Sequence, residues 1–336
     1  MQYVAGFDDV DAARELARSS AVVSYEIERI APAVLSAVSD EALLRPGAHA
    51  LLVVQDREVQ KRWLTERGFQ LGDWSVASDP RELAAAVAAV GAPCFIKAAR
   101  GGYDGRSQVR GLPGDDATAL WRAVGETRCV VERELTLAAE CSVLVARRPS
   151  RGEVVVYPVA RNWHVENILD TSVFPSGLPA AIEHEAQRIA CSLARELNIE
   201  GLLVVECFVT TDGRVLINEL APRPHNTFHH AEVACTVGQF EQYIRAICDL
   251  PLGQVRLTQP AALANLLGDL WHGGRSPAFD AALAVPGLQL HLYAKEHREK
   301  RKIGHLVAHG ETAPEALARL DLARQALGTP AASRRI

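Results

Sequence analysis

The chain has 336 residues and a mass of 36.4 kDa, more than one hydrophobic core usually serves, so we expect two or three domains. Hydrophobic residues make up 48% and charged residues 23%, a composition that excludes disordered, collagen-like and membrane-embedded proteins. The formal net charge of −5 argues against a nucleic-acid partner, because proteins that bind nucleic acids usually carry an excess of basic residues.

The cysteines and the N-terminal residues indicate a cellular compartment. The seven cysteines show no zinc-like spacing and lie mostly in apolar runs, so we expect reduced, buried thiols. The first residues lack the basic and apolar regions of a signal peptide. No apolar run approaches the roughly 20 residues that a membrane-spanning helix needs. These features predict a cytoplasmic protein with no membrane partner.

The first 75 residues alternate short helices with one strand, a pattern typical of a small α/β unit. The spacing of apolar residues predicts helices at 9–19, 31–38 and 56–67 and a strand at 21–25. Only one convincing strand is predicted before residue 50, which is few for a complete α/β domain.

A second pattern, richer in strands, begins at about residue 76. Pro80 opens an alanine-rich helix at 81–90, since proline is favoured at the first helical position. We then expect strands at 94–99, 107–112, 128–133, 141–147, 153–160, 202–209, 215–220, 288–295 and 303–308. Longer helices are expected at 180–197, 230–248 and 313–327. Such blocks in series indicate α/β and α+β modules.

A glycine-rich segment from Arg100 to Gln108 separates two of these strands. It matches neither the P-loop nor the dinucleotide-binding pattern, because it does not open a helix. One interpretation is an ordinary hairpin turn, since Asp-Gly is a favoured turn dipeptide. The other is a nest of backbone N–H groups for nucleotide phosphates, because glycines cluster there and Lys97, Arg100 and Arg106 add positive charge. The second interpretation explains all of these features together.

Two glutamates would face each other if the strands on either side of Asp212-Gly213 form a hairpin. A two-residue turn at that dipeptide places Glu206 directly opposite Glu219, with their Cβ atoms about 4.5–5.5 Å apart. Two like charges at this separation repel by roughly 3 kcal/mol at an effective dielectric constant of about 20. The neighbouring residues are apolar on both faces, so the pair would be buried.

Three arrangements would relieve this repulsion: protonation of one carboxyl group, an arginine that pairs with both, or a bridging divalent cation. Magnesium is favoured, because it prefers hard oxygen ligands and a phosphate-binding loop would lie beside it. Asn218 would reach the same ion only if the strand twists. A longer turn would instead shift the register and leave an ordinary hairpin with exposed glutamates.

Six segments carry a resemblance to a known family. They include FIKAARGGYDGRSQ (95–108) and VECFVTTDGRVLINELAPRPHN (205–226), together with 140–147, 157–175, 239–253 and 291–305. The chain resembles the ATP-grasp ligases, and among them 5-(carboxyamino)imidazole ribonucleotide synthase of purine biosynthesis. The resemblance implies an ATP-grasp fold with three parts: a truncated N-terminal α/β domain (1–75), an ATP-grasp domain (76–255, with a lid at about 76–146 that carries glycine loop 100–108) and a small C-terminal domain (256–336).

The resemblance also implies an ATP site. Two basic residues would contact the phosphates, the glycine loop would close over them, and the strand after residue 131 would hold adenine. Glu140 would bind the ribose hydroxyls, and His164 would lie near the nucleotide. The complete set implied is Arg57, Lys97, Gly102, Tyr103, Asp104, Gly105, Arg106, Ser107, Gln108, Glu132, Arg133, Glu134, Leu135, Glu140, His164, Asn218 and Glu219.

The facing glutamates coincide with the metal site that the resemblance implies, where Glu206 and Glu219 hold Mg²⁺. The residues implied for the second anion, bicarbonate or the ribonucleotide, are Arg223, His225, Lys295, Arg301 and Lys302. Lysine is rare in this chain, with five in all, and two of them, Lys61 and Lys300, receive no role.

The chemistry that the resemblance implies has two steps. Bicarbonate attacks the γ-phosphate of ATP, which gives carboxyphosphate and ADP, and the amine of aminoimidazole ribonucleotide then takes up the carboxyl group. Such a transfer needs positioning, cations and exclusion of water more than a protein nucleophile. The resemblance further suggests a homodimer and functional coupling to the mutase of the same pathway.

Some residues depart from the family pattern. The glycine-rich strand and loop with which the family begins are missing, so we expect an incomplete N-terminal domain. Ser107 replaces a glycine of the phosphate loop. Thr227-Phe228 replaces Ser-Gly, which would place a bulky ring in the substrate pocket. The ATP side is therefore intact, whereas the acceptor side is altered.

Two other functions stay open at this point. One is an ATP-grasp ligase that activates a carboxylate or bicarbonate for another nucleophile. The other is a weakly catalytic ATP-binding paralogue that acts as a partner subunit. The retained Lys97, Glu206 and Glu219 argue against the paralogue, because nothing would maintain facing glutamates in a drifting protein.

Overall fold

The computed structural model describes residues 2–101, 107–274 and 277–329. The N-terminal part packs four helices around a two-stranded parallel sheet: α1 (Val10–Arg18), β1 (Val22–Val23), α2 (Pro32–Glu41), β2 (Leu43–Leu44), α3 (Ala48–Val54) and α4 (Arg57–Glu66). Asp9 and Asp56 begin α1 and α4, because each carboxylate accepts hydrogen bonds from the first helical N–H groups. The three predicted helices are confirmed. The prediction missed α3, which is apolar on most sides and therefore lacks the spacing of a surface helix.

A small antiparallel sheet follows, with the spatial order β3-β6-β4-β5. Its strands are β3 (Trp74–Ala77), β4 (Cys94–Ala98), β5 (Gln108–Gly111) and β6 (Cys129–Arg133). Two helices, α5 (Pro80–Val90) and α6 (Ala117–Ala123), cover one of its faces. Small residues such as Ala77, Ala86 and Ala98 lie between helix and sheet, so the two layers approach closely.

A large sheet of nine strands in the described part of the chain forms the rest of the core. Its spatial order is β12-β11-β7-β9-β10-β13-β15-β14, and β8 pairs with β7. In chain order the strands are β7 (Leu137–Arg147), β8 (Val154–Val156), β9 (Ala160–Val165), β10 (Ile168–Phe174), β11 (Gly201–Thr210), β12 (Val215–Ala221), β13 (Ala261–Leu267), β14 (Leu288–Leu292) and β15 (Lys302–His309). The strands after residue 260 therefore continue the same sheet through the β10–β13 ladder.

Helices cover both faces of the large sheet. On one face, α7 (Ala180–Glu196) packs with residues of α3 and α4 against β7 and β11. On the other face lie α8 (Ala231–Ala234) and α9 (Gln239–Ile247). The C-terminal strands pack against α10 (Phe279–Leu283) and α11 (Ala313–Ala326). None of the helices within the described ranges is long and apolar enough to cross a membrane.

Several predicted elements were wrong in extent. The single helix expected at 230–248 is broken at Cys235–Gly238, because Cys235 pairs with Leu257 and the Thr236 N–H donates to the Arg256 carbonyl. The strand expected at 153–160 ends at Val156, and β9 begins at Ala160, since Pro158 supplies no N–H to a ladder. Five strands in the described part of the chain, β2, β3, β9, β10 and β13, were not predicted at all. The expected domain boundaries stay predictions.

We expect Arg324→Ala to lower the free energy of unfolding by about 3 kcal/mol, because Asp170 is left without its partner in a largely buried place. In the protein both terminal nitrogens of Arg324 lie 2.8 Å from the carboxylate of Asp170, which fastens α11 to β10. Urea denaturation followed by circular dichroism measures the loss. Arg188→Ala, which removes an exposed pair with Glu185, is the control and should cost less than about 1 kcal/mol. Equal losses in the two variants would contradict this account.

Candidate active site

Glu206 on β11 and Glu219 on β12 are direct partners in the antiparallel ladder, as predicted. The turn, however, is not the predicted one. The Thr210 N–H donates to the Arg214 carbonyl, so the loop holds three residues and ends at Gly213, whose φ of 84° favours glycine. The register shifts once more between Glu206 and its neighbour Cys207. The longer turn shifts the pairing by one residue and the bulge shifts it back, so Glu206 and Glu219 remain partners.

The bulge also decides where Asn218 points. Ile217 and Leu220 belong to the same core cluster although they are three positions apart, so the usual alternation of side chains is interrupted between them. Asn218 and Glu219 are both partly exposed and therefore lie together on the opposite face of β12. The bulge thus supplies the reorientation that Asn218 requires in order to join the glutamates.

Glu140 and His164 lie on this same face of the large sheet. Glu140 on β7 pairs with Phe208 and Asn162 in the two neighbouring ladders, and His164 follows Asn162 by two positions. The Nδ1 atom of His164 lies 2.8 Å from a carboxylate oxygen of Glu140. We call the face that carries Glu140, His164, Glu206 and Glu219 the carboxylate face.

The carboxylate face is electrostatically coupled. Burial and the charge of Glu219 raise the pKa of Glu206, and the charge of His164 opposes them. Burial alone would lower the pKa of His164, but the hydrogen bond and charge of Glu140, with the charges of Glu206 and Glu219, raise it to about 9. An excess of negative charge is therefore concentrated at this place.

The donor set fits a divalent cation such as Mg²⁺. Glu206, Glu219 and Asn218 offer hard oxygen atoms, and a cation would relieve the repulsion that raises the pKa of Glu206. Within the described ranges, no third histidine, cysteine or carboxylate completes a metal cluster with the pair. Phosphate oxygens and water would supply the remaining ligands, which is how Mg²⁺ is usually held beside nucleotides.

Of the predicted phosphate-binding residues, Lys97 pairs with Glu132, and Arg57 lies on the helix that supplies a second lysine to the same carboxylate. The Lys97 Nζ atom lies 2.9 Å from one oxygen of Glu132, and the Lys61 Nζ atom lies 3.1 Å from the other. Arg57, one turn before Lys61 on α4, donates to the Ala98 carbonyl over 3.2 Å. Two lysines, from α4 and β4, thus pair with one carboxylate on β6, and the charge of Arg57 acts on the first of them.

The glycine loop connects β4 and β5, which form the predicted hairpin with Lys97 opposite Gln108. The loop residues predicted to cover ATP, Gly102, Tyr103, Asp104, Gly105 and Arg106, lie outside the described residues. Ser107 has a φ of 60°, in the left-handed region that favours glycine. This conformation gives a physical reason for the glycine expected at that position. Arg100, expected to add charge to the loop, instead lies 2.7 Å from the buried carboxylate of Asp56.

The predicted adenine-holding residues lie at the connection between β6 and β7, where the small sheet joins the large one. The Arg133 side chain donates to the Val90 carbonyl over 2.8 Å, and Glu134 accepts two hydrogen bonds from Arg110. The Leu135 side chain lies against Gly72. These side chains are engaged with the protein itself.

Arg223 and His225, the predicted acceptor residues, follow β12 directly and border the carboxylate face. The His225 Nε2 atom lies 3.4 Å from Glu206, and its Nδ1 atom lies 3.1 Å from the Thr227 hydroxyl. The Nε atom of Arg223 lies 2.6 Å from Glu28, a residue of the N-terminal part. Burial, together with the charges of Arg223, Lys302 and His164, holds the pKa of His225 well below its usual range.

The basic cluster near the C-terminus divides into two environments. Lys302 is buried at the start of β15, and its charge acts on His225 and on His229. Lys295 is exposed, and the ammonium groups of Lys295 and Lys302 lie 5.1 and 5.7 Å from the centre of the Tyr293 ring. Arg301 donates to the Glu296 carbonyl over 3.2 Å, within the same loop. Lys302 is thus the member of the cluster most closely associated with His225.

The expectation that Phe228 places a bulky ring in the substrate pocket was wrong. Phe228 is fully buried and packs against Tyr157 and Phe174 in the core, with ring centres 6.3 and 5.7 Å away. Thr227 is buried as well. A large apolar ring gains more from this packing than from a polar surface, so the short helix at Asn226–Phe228 turns it inward.

Three parts of the site were not predicted. Lys61 lies four residues after Arg57, and this helical spacing places both on one face of α4, a signal that was available. Glu28, the partner of Arg223, is distant from it in the chain and gave no signal. The rings of His229, His305 and His291 are stacked at 4.5 Å intervals beside Tyr293. This column joins β14 and β15 to the segment after β12.

Comparisons with known proteins identify the family. An ATP-grasp domain model matches residues 62–240, and a phosphoribosylaminoimidazole carboxylase C-terminal domain model matches residues 261–319. The N5-carboxyaminoimidazole ribonucleotide synthase of Bacillus subtilis (strain 168) is 37% identical over 310 residues, which cover 91% of this chain and 80% of that protein. The chain belongs to the N5-carboxyaminoimidazole ribonucleotide synthase family.

Solved structures of synthase family members share this fold. An ADP complex of N5-carboxyaminoimidazole ribonucleotide synthetase is 35% identical with a TM-score of 0.88, covering 97% of this chain and 84% of that one. The Aspergillus clavatus synthase, in complex with ADP and 5-aminoimidazole ribonucleotide, is 26% identical with a TM-score of 0.88, covering 96% and 86%. The predicted ATP-grasp fold is therefore confirmed.

We expect Phe228→Ala in this synthase family member to lower the free energy of unfolding by about 3–5 kcal/mol, because a buried ring is replaced by a cavity. Thermal and urea denaturation measure the loss. Phe7→Ala, which removes a ring that is 56% exposed, is the matched control and should change stability little. If the Phe228 ring lined the substrate pocket, the two variants would be similarly stable.

Protonation of Glu132 in acid should destabilise the protein. Burial would raise its pKa, but the charges of Lys61 and Lys97 outweigh burial and lower the pKa from 4.5 to about 2. The stabilisation is complete above the ordinary pKa and is lost as pH falls from about 4.5 towards 2, by up to about 3 kcal/mol. Urea unfolding at several pH values should give a shallower acid loss for Glu132→Gln than for the unmodified protein. Parallel curves would contradict this assignment.

Proposed function

We propose that this protein uses ATP to carboxylate the amino group of 5-aminoimidazole ribonucleotide with bicarbonate, giving 5-(carboxyamino)imidazole ribonucleotide, ADP and phosphate. The observation that carries the proposal is the 3.4 Å contact between His225 and Glu206. This contact supports the proposal because Glu206 would bind the metal and the nucleotide whereas His225 would bind the acceptor, so a group activated at the first would be within reach of the second. Family membership supports the same reaction.

Arg57, Lys97 and the loop Gly102–Gln108 would hold the phosphates of ATP, since cations and backbone N–H groups stabilise the charge that develops during phosphoryl transfer. Within Glu132–Leu135, Leu135 would offer its backbone groups to adenine, because the N–H groups of Arg133 and Glu134 already donate to the carbonyls of Asp73 and Pro93. Glu140 would accept hydrogen bonds from the ribose, held in place by His164.

Glu206, Glu219 and Asn218 would hold Mg²⁺, which supplies positive charge to the phosphate oxygens when bound. An oxygen of bicarbonate attacks the γ-phosphorus, the bond to ADP breaks, and carboxyphosphate forms. Carboxyphosphate separates into carbon dioxide and phosphate. The amine of 5-aminoimidazole ribonucleotide then attacks carbon dioxide, forms the new N–C bond and loses one proton.

Arg223, His225 and Lys302 would hold bicarbonate and orient the ribonucleotide, with Lys295 and Arg301 adding positive charge for its phosphate. Arg223 is fixed by Glu28, so its guanidinium group is oriented before a substrate arrives. A buried cation such as Lys302 acts on an anion more strongly than a solvated one, because little water screens it. The predicted homodimer, coupling to the mutase and cytoplasmic location stay predictions.

The test is ATP turnover with Mg²⁺ and bicarbonate, with and without 5-aminoimidazole ribonucleotide. We expect the ribonucleotide to stimulate phosphate release. Glu219→Gln should reduce the stimulated rate at least about 100-fold, because it removes a ligand of the Mg²⁺ that would stabilise the charge of the transition state. Turnover without stimulation would favour a ligase for another nucleophile. No turnover under any condition would favour a partner subunit that only binds ATP.

A further inference from the structure

Lys61 is one of the most deeply buried charged residues in the described chain, with 5% of its surface exposed. Neither the sequence patterns nor the proposed reaction assigns it a role. It extends from α4, in the N-terminal part, to Glu132 on β6 of the small sheet. A lysine is rarely buried to this degree unless its charge is needed at that place.

Glu132 binds two lysines with separate oxygens. Its Oε1 atom lies 3.1 Å from the Lys61 Nζ atom and its Oε2 atom lies 2.9 Å from the Lys97 Nζ atom. Lys97 lies two positions along the β4–β6 ladder from Glu132, so the two side chains share one face of the sheet. The three groups together carry a net charge of +1.

The two lysines differ in what they are free to do. Lys61 is enclosed, whereas Lys97 is more exposed and lies at the β4 end from which the glycine loop begins. If Lys97 turned from Glu132 to an ATP phosphate and no other cation remained, a buried carboxylate would lose its only partner. Such a loss is strongly unfavourable, because neither water nor protein would then compensate the charge.

We propose that Lys61 is a positioning residue that keeps the Glu132 carboxylate paired and thereby allows Lys97 to bind the nucleotide phosphates. The proposal rests on the use of ATP proposed above. Burial lowers the pKa of Lys61, and the charge of Glu132 opposes that effect, so the two groups maintain each other's charge. The charges of Lys97 and Arg57 also act on Lys61, so these three cations lie close enough to influence one another.

Nucleotide affinity tests the proposal without any acceptor substrate. In Lys61→Met, Lys97 is the only lysine left for Glu132, so calorimetry should show Mg·ATP binding weakened by about tenfold or more. Binding of adenosine, which has no phosphates, should change little. Lys61→Arg should retain most of the affinity, because it keeps the charge. Arg62→Met on the same helix removes a 55% exposed partner of Glu58 and is the matched control, expected to be neutral.

The double variant Lys61→Met/Glu132→Gln separates positioning from a merely structural role. It removes both charges, so Lys97 is no longer held back, and ATP affinity should recover towards that of Glu132→Gln alone. This comparison also applies if Lys61→Met does not fold, since the double variant buries no unpaired charge. Unchanged ATP affinity in Lys61→Met, an equal loss for adenosine, or a double variant no better than the single one would each overturn the proposal.

The role of Lys61 and the proposed carboxylation can fail separately, and the experiments distinguish the two failures. If ribonucleotide does not stimulate ATP turnover, the carboxylation reaction fails, but ATP and adenosine affinities still report on Lys61. If ribonucleotide stimulates turnover and Lys61→Met binds ATP normally, the role of Lys61 fails and the reaction stands.

Discussion

Two carboxylates held side by side on one sheet face, Glu206 and Glu219, are the constraint on which the arrangement of the site depends. Ladder bonds fix their separation, so repulsion cannot be relieved by moving one strand. The protein instead places the positively charged His164 beside Glu140 on the same face, while His225, whose pKa is lowered, lies against Glu206 without adding charge. A divalent cation at this pair would complete the balance, because its charge would offset that of both carboxylates.

The same principle of paired charge operates between α4 and the small sheet. Lys97 and Glu132 lie within an ion-pair distance, and Lys61 makes the pair a triad with spare positive charge. An acidic chain thus binds anions through local groups of cations, because the charges that matter lie within a few ångströms of the ligand. The net charge of −5 describes the solvated surface rather than the site.

The sequence predicted the facing glutamates correctly but for an incomplete reason. Their partnership results from a three-residue turn and a bulge whose effects offset each other, and neither is encoded in the alternation of side chains. Helices with caps and amphipathic spacing were predictable, such as α4 behind Asp56. Contacts between distant segments were not, which is why Glu28 was missed. Phe228 was assigned to the substrate pocket because neighbouring residues were assigned there. Its side chain instead packs in the core.

The continuous large sheet has a consequence for how distant parts of the candidate site are held relative to one another. From β12 through β11, β7, β9, β10 and β13 to β15, each strand is hydrogen-bonded to the next, so Glu219 and Lys302 lie on one continuous sheet. The separation of these two residues is therefore set by strand pairing and not by the conformation of a loop. The small sheet has its own ladders and is joined to the rest of the chain by residues 67–73 and 134–136 and by ion pairs such as that of Lys61 with Glu132. A substitution can therefore alter strand pairing in one sheet and leave the ladders of the other unchanged.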